Sequence, residues 1–198
     1  MDKEVIFMQM PKSASCSMGM VLKKHDIHIV DHNIRNPDYV SLREYTEAQS
    51  ENEFFAFTFV RNPWDRVVSA FHYLNEGGNN PDDREDYHKY LEQYDEDFDL
   101  FVKQAFQTKD IFGQLHFRPQ FRWVTNGDNN LLVDFVGRYE TLQDDFNQVC
   151  RIIGVEEKKL PVTNQSNHKQ YRQYYNLETK NIIEEAYKED IRLFDYQF

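Results

Sequence analysis

The most constraining feature of this chain is an apolar, aromatic-rich run over residues 54–60 that ends at Arg61. Such a run predicts a buried strand. Asn62 and Pro63 follow, and they suit the N-cap and the first turn of a helix. We therefore expect Arg61 at the carboxyl end of a strand and Ser69 two turns into the next helix. Open α/β sheets bind ligands at this edge, and a guanidinium beside a helix N-terminus favours an anion.

The N-terminal segment shows the same order of elements. Residues 4–10 predict a short buried strand, a loop of proline, lysine and small residues covers 11–17, and helical spacing follows. In such a loop, backbone N–H groups, hydroxyls and the helix dipole favour an anion, and Lys12 adds charge. The glycine pattern of a Walker A loop is absent, since Lys12 precedes the small residues. The loop therefore suits one terminal anionic group better than a nucleoside triphosphate with its metal.

Together these segments resemble the sulfotransferases that use 3′-phosphoadenosine 5′-phosphosulfate (PAPS), and most closely the carbohydrate (family 2) type. In that family a Pro-Lys-Ser/Thr-rich loop holds the 5′-phosphosulfate, and a motif Arg-x-Pro-x-x-Arg-x-x-Ser holds the 3′-phosphate. The resemblance extends to residues 136–142 and 190–198. It implies that Arg61 and Ser69 bind the 3′-phosphate, and that the other end of the donor is bound by Lys12, Ser13, Ala14, Ser15, Cys16 and Ser17.

The resemblance also implies roles for residues outside these two motifs. Lys12 lies where a cation would stabilise the phosphate oxygen that gains charge as the sulfuryl group leaves. Residues 166–172 match a late loop that closes over the nucleotide in relatives, which implies donor contacts from Lys169, Tyr171 and Arg172; a solvated basic loop is the alternative. A segment His-x-x-Pro-Gln suggests that His116 and Arg118 bind the acceptor, although a helix that begins at Pro119 is equally consistent.

The sequence departs from the family at the general base. Heparan-type relatives carry a catalytic histidine just before a Ser-Leu-x-x-Tyr helix, and Tyr39 stands at that place here. His32, at the carboxyl end of a predicted strand, is our preferred substitute, because an imidazole with a pKa of about 6.5 suits proton abstraction at neutral pH. The alternative is an ordinary loop residue. Four further candidates for the base are His28, Asp31, His72 and Glu76.

Composition limits the partners. A net charge of −11 argues against nucleic acid and anionic membranes as partners. If the acidic segments at 82–86 and 94–99 line the acceptor site, they favour a neutral or cationic small-molecule or glycan acceptor over a sulfated polymer. These segments form either a solvated face or a lid. No metal site is expected, because no metal-ligand cluster stands out. With only two cysteines and no apparent leader or long apolar span, we expect a soluble, cytoplasmic microbial or viral enzyme.

Alternation of apolar runs and helical patterns predicts one α/β domain over residues 1–198, with a mainly parallel sheet flanked by helices. The resemblance implies the sulfotransferase relative of the P-loop kinase fold, and transfer from PAPS to a hydroxyl of a glycan or small glycoconjugate. The alternatives are a nucleotide-dependent kinase on a related fold and a degenerate nucleotide-binding protein. Strands are predicted near 4–10, 27–31, 54–60 and 131–137, and helices near 15–25, 41–49, 63–75, 97–107, 116–124, 140–153 and 178–193.

Overall fold

A computed structural model describes residues 3–31, 41–48, 54–108, 110–126, 128, 130–161, 163 and 168–198. The strands are β1 (Glu4–Met8), β2 (His28–Val30), β3 (Phe54–Val60) and β4 (Phe135–Arg138). The helices are α1 (Ser15–Leu22), α2 (Leu42–Ala48), α3 (Pro63–Asn75), α4 (Pro81–Tyr90), α5 (Phe98–Ala105), α6 (Phe121–Val124), α7 (Leu142–Ile153), α8 (Leu177–Ala186) and α9 (Lys188–Phe194).

The chain forms two compact units, each built from two stretches of sequence. The first unit contains Met1–Arg61 and Gln120–Asn164, and the second contains Asn62–Pro119 and Gln165–Phe198. The single domain expected over residues 1–198 therefore stays a prediction. No helix in the described part of the chain is long and apolar enough to cross a bilayer.

The first unit holds a parallel sheet of order β2-β1-β3-β4. Apolar residues of α1 and α7 pack against it, and the rings of Phe7 and Phe57 stack at 4.9 Å between centroids. Strand β4 lies close to β3 because Gly137 has no side chain. A Cβ at that position would lie 2.4 Å from the ring of Phe59. The predicted parallel α/β architecture is present in this unit.

The second unit is helical, and its core is formed by apolar residues from α3, α5 and the C-terminal helices. Helix α3 begins as the sequence predicts. The side chain of Asn62 accepts a hydrogen bond from Trp64 N at 3.1 Å, and Pro63 occupies the first turn. The ring of Phe101 packs in tilted contact with those of Phe71 and Phe117 within this core.

Three predicted elements differ from the structure, and one helix was not predicted. The helix predicted near 116–124 covers only Phe121–Val124. Residues 81–90, for which the sequence predicts no element, form α4, because the side chain of Asn80 accepts from the N–H of Asp83 at 2.9 Å and Pro81 suits the first turn. The helix predicted over 178–193 is interrupted at Tyr187, where α8 ends and α9 begins. The strand predicted over 131–137 covers only Phe135–Arg138, because Leu131 instead bridges to Thr125.

Candidate functional site

The loop between β1 and α1 has an unusual backbone. Lys12 and Ala14 adopt positive φ angles of 65° and 59°, a left-handed conformation that is uncommon outside glycine. Ala14 is the N-cap of α1 and offers no side-chain acceptor to the first N–H groups of that helix. Alternating left-handed residues at a helix N-terminus direct backbone N–H groups into an anion-binding concavity. The predicted order of strand, loop and helix is therefore present, and the binding of an anion by the loop stays a prediction.

The hydroxyl of Ser13 adds a second observation. Ser13 is fully buried, and its Oγ has no hydrogen-bond partner among the described residues. An unsatisfied buried hydroxyl costs about 1–3 kcal/mol. A protein retains such a group where something else completes its hydrogen bonding. Ser13 therefore fits a loop that accepts an oxyanion.

The remaining small residues of the loop differ in exposure. Ser15 is buried, and Cys16 is exposed at the surface of α1. Ser17 is buried, and its hydroxyl lies 2.7 Å from the hydroxyl of Thr163. Ser17 thus already has a protein partner, in contrast to Ser13.

Arg61 lies at the end of β3, and the structure brings it next to the loop. Its Nη1 donates to the carbonyl of Lys12 at 3.1 Å, and its guanidinium lies 4.0 Å from the ring centroid of Tyr139. The side-chain amide of Gln120 bonds to both main-chain groups of Arg61, accepting from N and donating to O at 2.9 Å each. Lys12 and Arg61 are therefore joined as two cationic residues of one unit.

The roles of Gln120 and Tyr139 were missed by sequence reasoning. Gln120 ends the segment His-x-x-Pro-Gln, but its contact with Arg61 spans 59 residues. Tyr139 follows the last strand directly. Only the position of Tyr139 after an apolar strand could have indicated that it lies near the same sheet edge.

In the second unit, Ser69 is buried on α3, and Arg66 precedes it on the same helix. Arg66 is fully buried and donates to the carbonyls of His116 at 2.9 Å and Arg118 at 2.8 Å. This residue is the second arginine of the Arg-x-Pro-x-x-Arg-x-x-Ser motif, and it received no role from the sequence. Its contacts show that it anchors the 116–118 segment to α3.

His116 is held by the side chain of Gln114. Oε1 of Gln114 accepts from the backbone N–H groups of His116 at 2.6 Å and Phe117 at 3.2 Å. Nε2 of Gln114 bonds to Asp86 Oδ2 at 3.0 Å and to His116 Nδ1 at 2.9 Å. The ring of His116 is only 7% exposed, and Arg118 is half-buried. Their predicted contact with the acceptor stays a prediction.

The late segment also belongs to the second unit. Residues Tyr171–Tyr174 form a short 3₁₀ helix, and Lys169 is exposed beside it with its N–H bonded to Tyr174 Oη at 3.1 Å. The guanidinium of Arg172 lies 4.7 Å from the ring of Tyr171 and 5.7 Å from that of Phe198. The guanidinium of Arg172 and these rings form one cluster, the backbone of Lys169 lies beside it, and the predicted role of these residues at the nucleotide stays a prediction.

The candidates for the general base lie in different places. His32 and Tyr39 fall outside the described residues. His28 is exposed on β2, and its ring stacks on Tyr45 at 4.0 Å. His72 on α3 stacks on His168 at 5.6 Å, and its Nε2 has no hydrogen-bond partner within the described part of the chain. Burial, and then the neighbouring His168, lower the pKa of His72 below 6.5.

Two of the remaining candidates, Asp31 and Glu76, are exposed at the ends of their elements. The described residues contain no group of three or more histidine, cysteine, aspartate or glutamate side chains placed to hold a metal ion. The expectation that no metal takes part stays a prediction.

Comparison with known proteins gives three findings. The model of the Sulfotransferase family matches residues 1–197. A protein of Archaeoglobus fulgidus, described as uncharacterized, is 30% identical over 105 residues, which are 53% of this chain and 72% of that protein. The crystal structure of mouse sulfotransferase SULT7A1 complexed with PAP matches with a TM-score of 0.53 and 14% identity, over 100% of this chain and 90% of that chain. This structural likeness confirms the predicted fold.

Proposed function

Because this chain belongs to the sulfotransferase family, we propose that it transfers a sulfuryl group from PAPS to a hydroxyl of a glycan or small glycoconjugate. The observation that carries the choice of donor is the β1–α1 loop. There the buried hydroxyl of Ser13, which has no hydrogen-bond partner among the described residues, lies between two left-handed residues, and the guanidinium of Arg61 contacts the loop at the Lys12 carbonyl. A terminal phosphosulfate supplies the acceptor oxygens that such a loop binds.

The proposed roles follow from the charge that develops during transfer. The bond from sulfur to the phosphate oxygen breaks as a bond to the acceptor oxygen forms, so the phosphate oxygen gains negative charge. We assign the ammonium of Lys12 to that oxygen, because a fixed cation there stabilises the transition state more than the ground state. Ser13 and the amides that follow it would hold the nonbridging oxygens.

The 3′-phosphate is assigned to Arg61 and Ser69, the two residues of the family motif. Support comes from Arg61, whose main chain and guanidinium are each fixed by a separate partner, Gln120 and Tyr139. A guanidinium that is already ordered loses little conformational entropy on binding a phosphate. Lys169, Tyr171 and Arg172 are proposed to contact the nucleotide from the late segment.

His32 remains the proposed general base, and it would take the proton of the acceptor hydroxyl. The acceptor is proposed to be a neutral or cationic glycan or small glycoconjugate, because the chain carries a net charge of −11. His116 and Arg118 are proposed to bind it.

The donor is tested by calorimetry with adenosine 3′,5′-bisphosphate (PAP), adenosine 5′-monophosphate and ATP with magnesium. The proposal expects PAP to bind at least about tenfold tighter than the other two, because only PAP offers both phosphates. Preference for ATP would instead favour a kinase on this fold.

The reaction is tested with ³⁵S-labelled PAPS and acceptors of three kinds: neutral oligosaccharides, aminosugar glycoconjugates and heparin fragments. Label is expected on the first two. If PAP binds and no acceptor is labelled, the chain is a nucleotide-binding protein without transfer activity. If only heparin is labelled, the proposed acceptor class is wrong.

A further inference from the structure

The side-chain amide of Gln114 has two hydrogens, and both have identified acceptors. One points to the carboxylate of Asp86 at 3.0 Å and the other to Nδ1 of His116 at 2.9 Å. The orientation of the amide is fixed independently, because its oxygen accepts from two backbone N–H groups at 2.6 and 3.2 Å. A flipped amide would place its NH₂ group against those backbone donors and its oxygen against a carboxylate.

The proton on the imidazole follows from this arrangement. Because Gln114 donates to Nδ1, that nitrogen must present a lone pair, so the ring proton resides on Nε2. A proton on Nδ1 would face an N–H group of the amide. Asp86 is 1% exposed and Gln114 is fully buried, so water does not compete readily for these bonds.

The backbone of His116 is fixed as firmly as its ring. Its carbonyl accepts from the buried guanidinium of Arg66 at 2.9 Å, and its ring packs against that of Tyr73 at 5.1 Å. The Tyr73 hydroxyl in turn donates to the carboxylate of Asp83 at 2.6 Å. The ring therefore has a defined orientation as well as a defined proton.

We infer that Asp86 and Gln114 are positioning residues that hold His116 as a neutral imidazole with its proton on Nε2. In this state His116 serves the transfer reaction as a hydrogen-bond donor to the acceptor substrate and not as its general base. The donor role rests on the proposed function, whereas the position of the proton does not. The inference leaves proton abstraction to another residue.

The position of the proton is read directly by long-range ¹H–¹⁵N NMR of histidine-labelled protein, without any substrate. The wild type is expected to show the Nε2–H tautomer for His116, assigned through the missing signal in His116→Gln. An Nδ1–H tautomer or an imidazolium at pH 7.5 would overturn the inference.

A double substitution, Asp86→Asn with Gln114→Glu, reverses the polarity of the network at nearly constant shape. The new amide can donate to the new carboxylate, which then accepts from Nδ1–H of His116. At a pH where the ring is neutral, the NMR signature should change to the Nδ1–H tautomer with an unprotonated Nε2, whereas Asp86→Asn alone should leave the Nε2–H tautomer in place. An unchanged tautomer in the double variant would mean that Gln114 does not set it.

The donor role is tested by turnover of labelled PAPS in the same proteins. The double variant is expected to lose about 10²-fold in kcat, the usual effect of removing one transition-state donor, while its Kd for PAP is unchanged. A changed tautomer with wild-type kcat would show that the Nε2–H group does not serve the reaction. If the wild type itself transfers no sulfuryl group, the proposed function fails, and the NMR result stands on its own. Should the double variant not fold, the wild-type spectrum and Asp86→Asn still decide where the proton lies.

Discussion

The β1–α1 loop and the 114–118 segment differ in how their buried polar side chains are hydrogen-bonded. In the loop, a buried hydroxyl of Ser13 has no described partner and two residues adopt left-handed backbone. In the segment, the amide of Gln114 uses all of its hydrogens, and a buried Arg66 ties down two carbonyls. Among the described residues, the Ser13 hydroxyl has no hydrogen-bond partner, whereas the Gln114 amide is fully bonded, although Nε of Arg66 and Nε of Arg118 in the same region are not. This difference fits the donor site proposed at the loop and a fixed surface at the Gln114 amide.

The largest effect is expected from Lys12→Ala, which removes the cation assigned to the leaving oxygen. Turnover of PAPS should fall by about 10²–10³-fold with little change in the Kd for PAP, because the charge develops only in the transition state. The matched control is Lys24→Ala, an equal charge change at an exposed site. Equal losses of turnover and PAP affinity would remove the catalytic role and place Lys12 among simple binding residues.

Arg66→Met tests how much the contacts of Arg66 with the 114–118 segment contribute to stability. It leaves the carbonyls of His116 and Arg118 without their donor, and it should lower the free energy of unfolding by about 3 kcal/mol. Urea denaturation measures this, and Arg192→Met, an exposed arginine, should show no comparable loss. A stable Arg66→Met protein would mean that the segment is less fixed than its contacts indicate.

Arg61→Ala tests whether the end of β3 is specific for a 3′-phosphate. The Kd for PAP should rise by about 10–100-fold, since a charged hydrogen bond contributes about 1.5–3 kcal/mol, while the Kd for adenosine 5′-monophosphate changes little. Arg122→Ala, an exposed arginine, controls for net charge. Equal weakening of both nucleotides would assign Arg61 a structural role through its contact with Lys12.

Ser13→Ala should act in opposite directions on stability and binding. Removing a buried hydroxyl for which the described part of the chain offers no partner should leave the free energy of unfolding unchanged or raise it by up to about 1 kcal/mol, while PAP binds about tenfold more weakly. Ser17→Ala is the matched control: it removes a hydroxyl that already bonds to Thr163, and it should be destabilising by about 1 kcal/mol. If both variants lose stability alike, the contrast between the two regions disappears.

The smallest effect concerns His72, which shares the helical unit with the 114–118 segment but, like Ser13, has a buried polar atom without a described partner. Burial and the neighbouring His168 lower its pKa below 6.5, so the unfolded chain binds more protons than the folded chain between the two pKa values. Its contribution to stability is therefore fully present above about pH 6.5 and decreases as the pH falls through the folded pKa. Urea midpoints from pH 8 to 5 should fall less steeply for His72→Gln than for the wild type. Equal slopes would show that His72 does not contribute.

Local sequence signals correctly predict the elements whose bounds depend on adjacent residues. The aromatic run, Asn62 and Pro63 predict β3 and the start of α3, and both are found at the expected residues. Helix α4 begins with the same signal, Asn80 followed by Pro81, but the acidic and polar composition of residues 81–90 gives no apolar pattern that predicts a helix. A short apolar run after a turn did not show where β4 begins, because pairing with β3 decides that.

Contacts distant in sequence could not be predicted. Gln120 bonds the main chain of Arg61 across 59 residues, and Arg66 reaches the carbonyl of His116 across 50. The motif identified Arg61, but its spacing carries no information about which side chains orient the guanidinium. The preferred base, His32, lies outside the described residues, so its assignment still rests on sequence alone.

The absence of a side chain at Gly137 affects more than the packing of the hydrophobic core. A Cβ there would collide with the ring of Phe59 at 2.4 Å, and the ring of Tyr139, two residues later, lies over the guanidinium of Arg61. A side chain at position 137 would therefore displace the ring of Phe59 or move β4 away from β3, and a shift of β4 would change the position of Tyr139 relative to the guanidinium of Arg61. If Arg61 binds the 3′-phosphate as proposed, the spacing of β3 and β4 at a residue without a functional group would thus influence which donor is preferred.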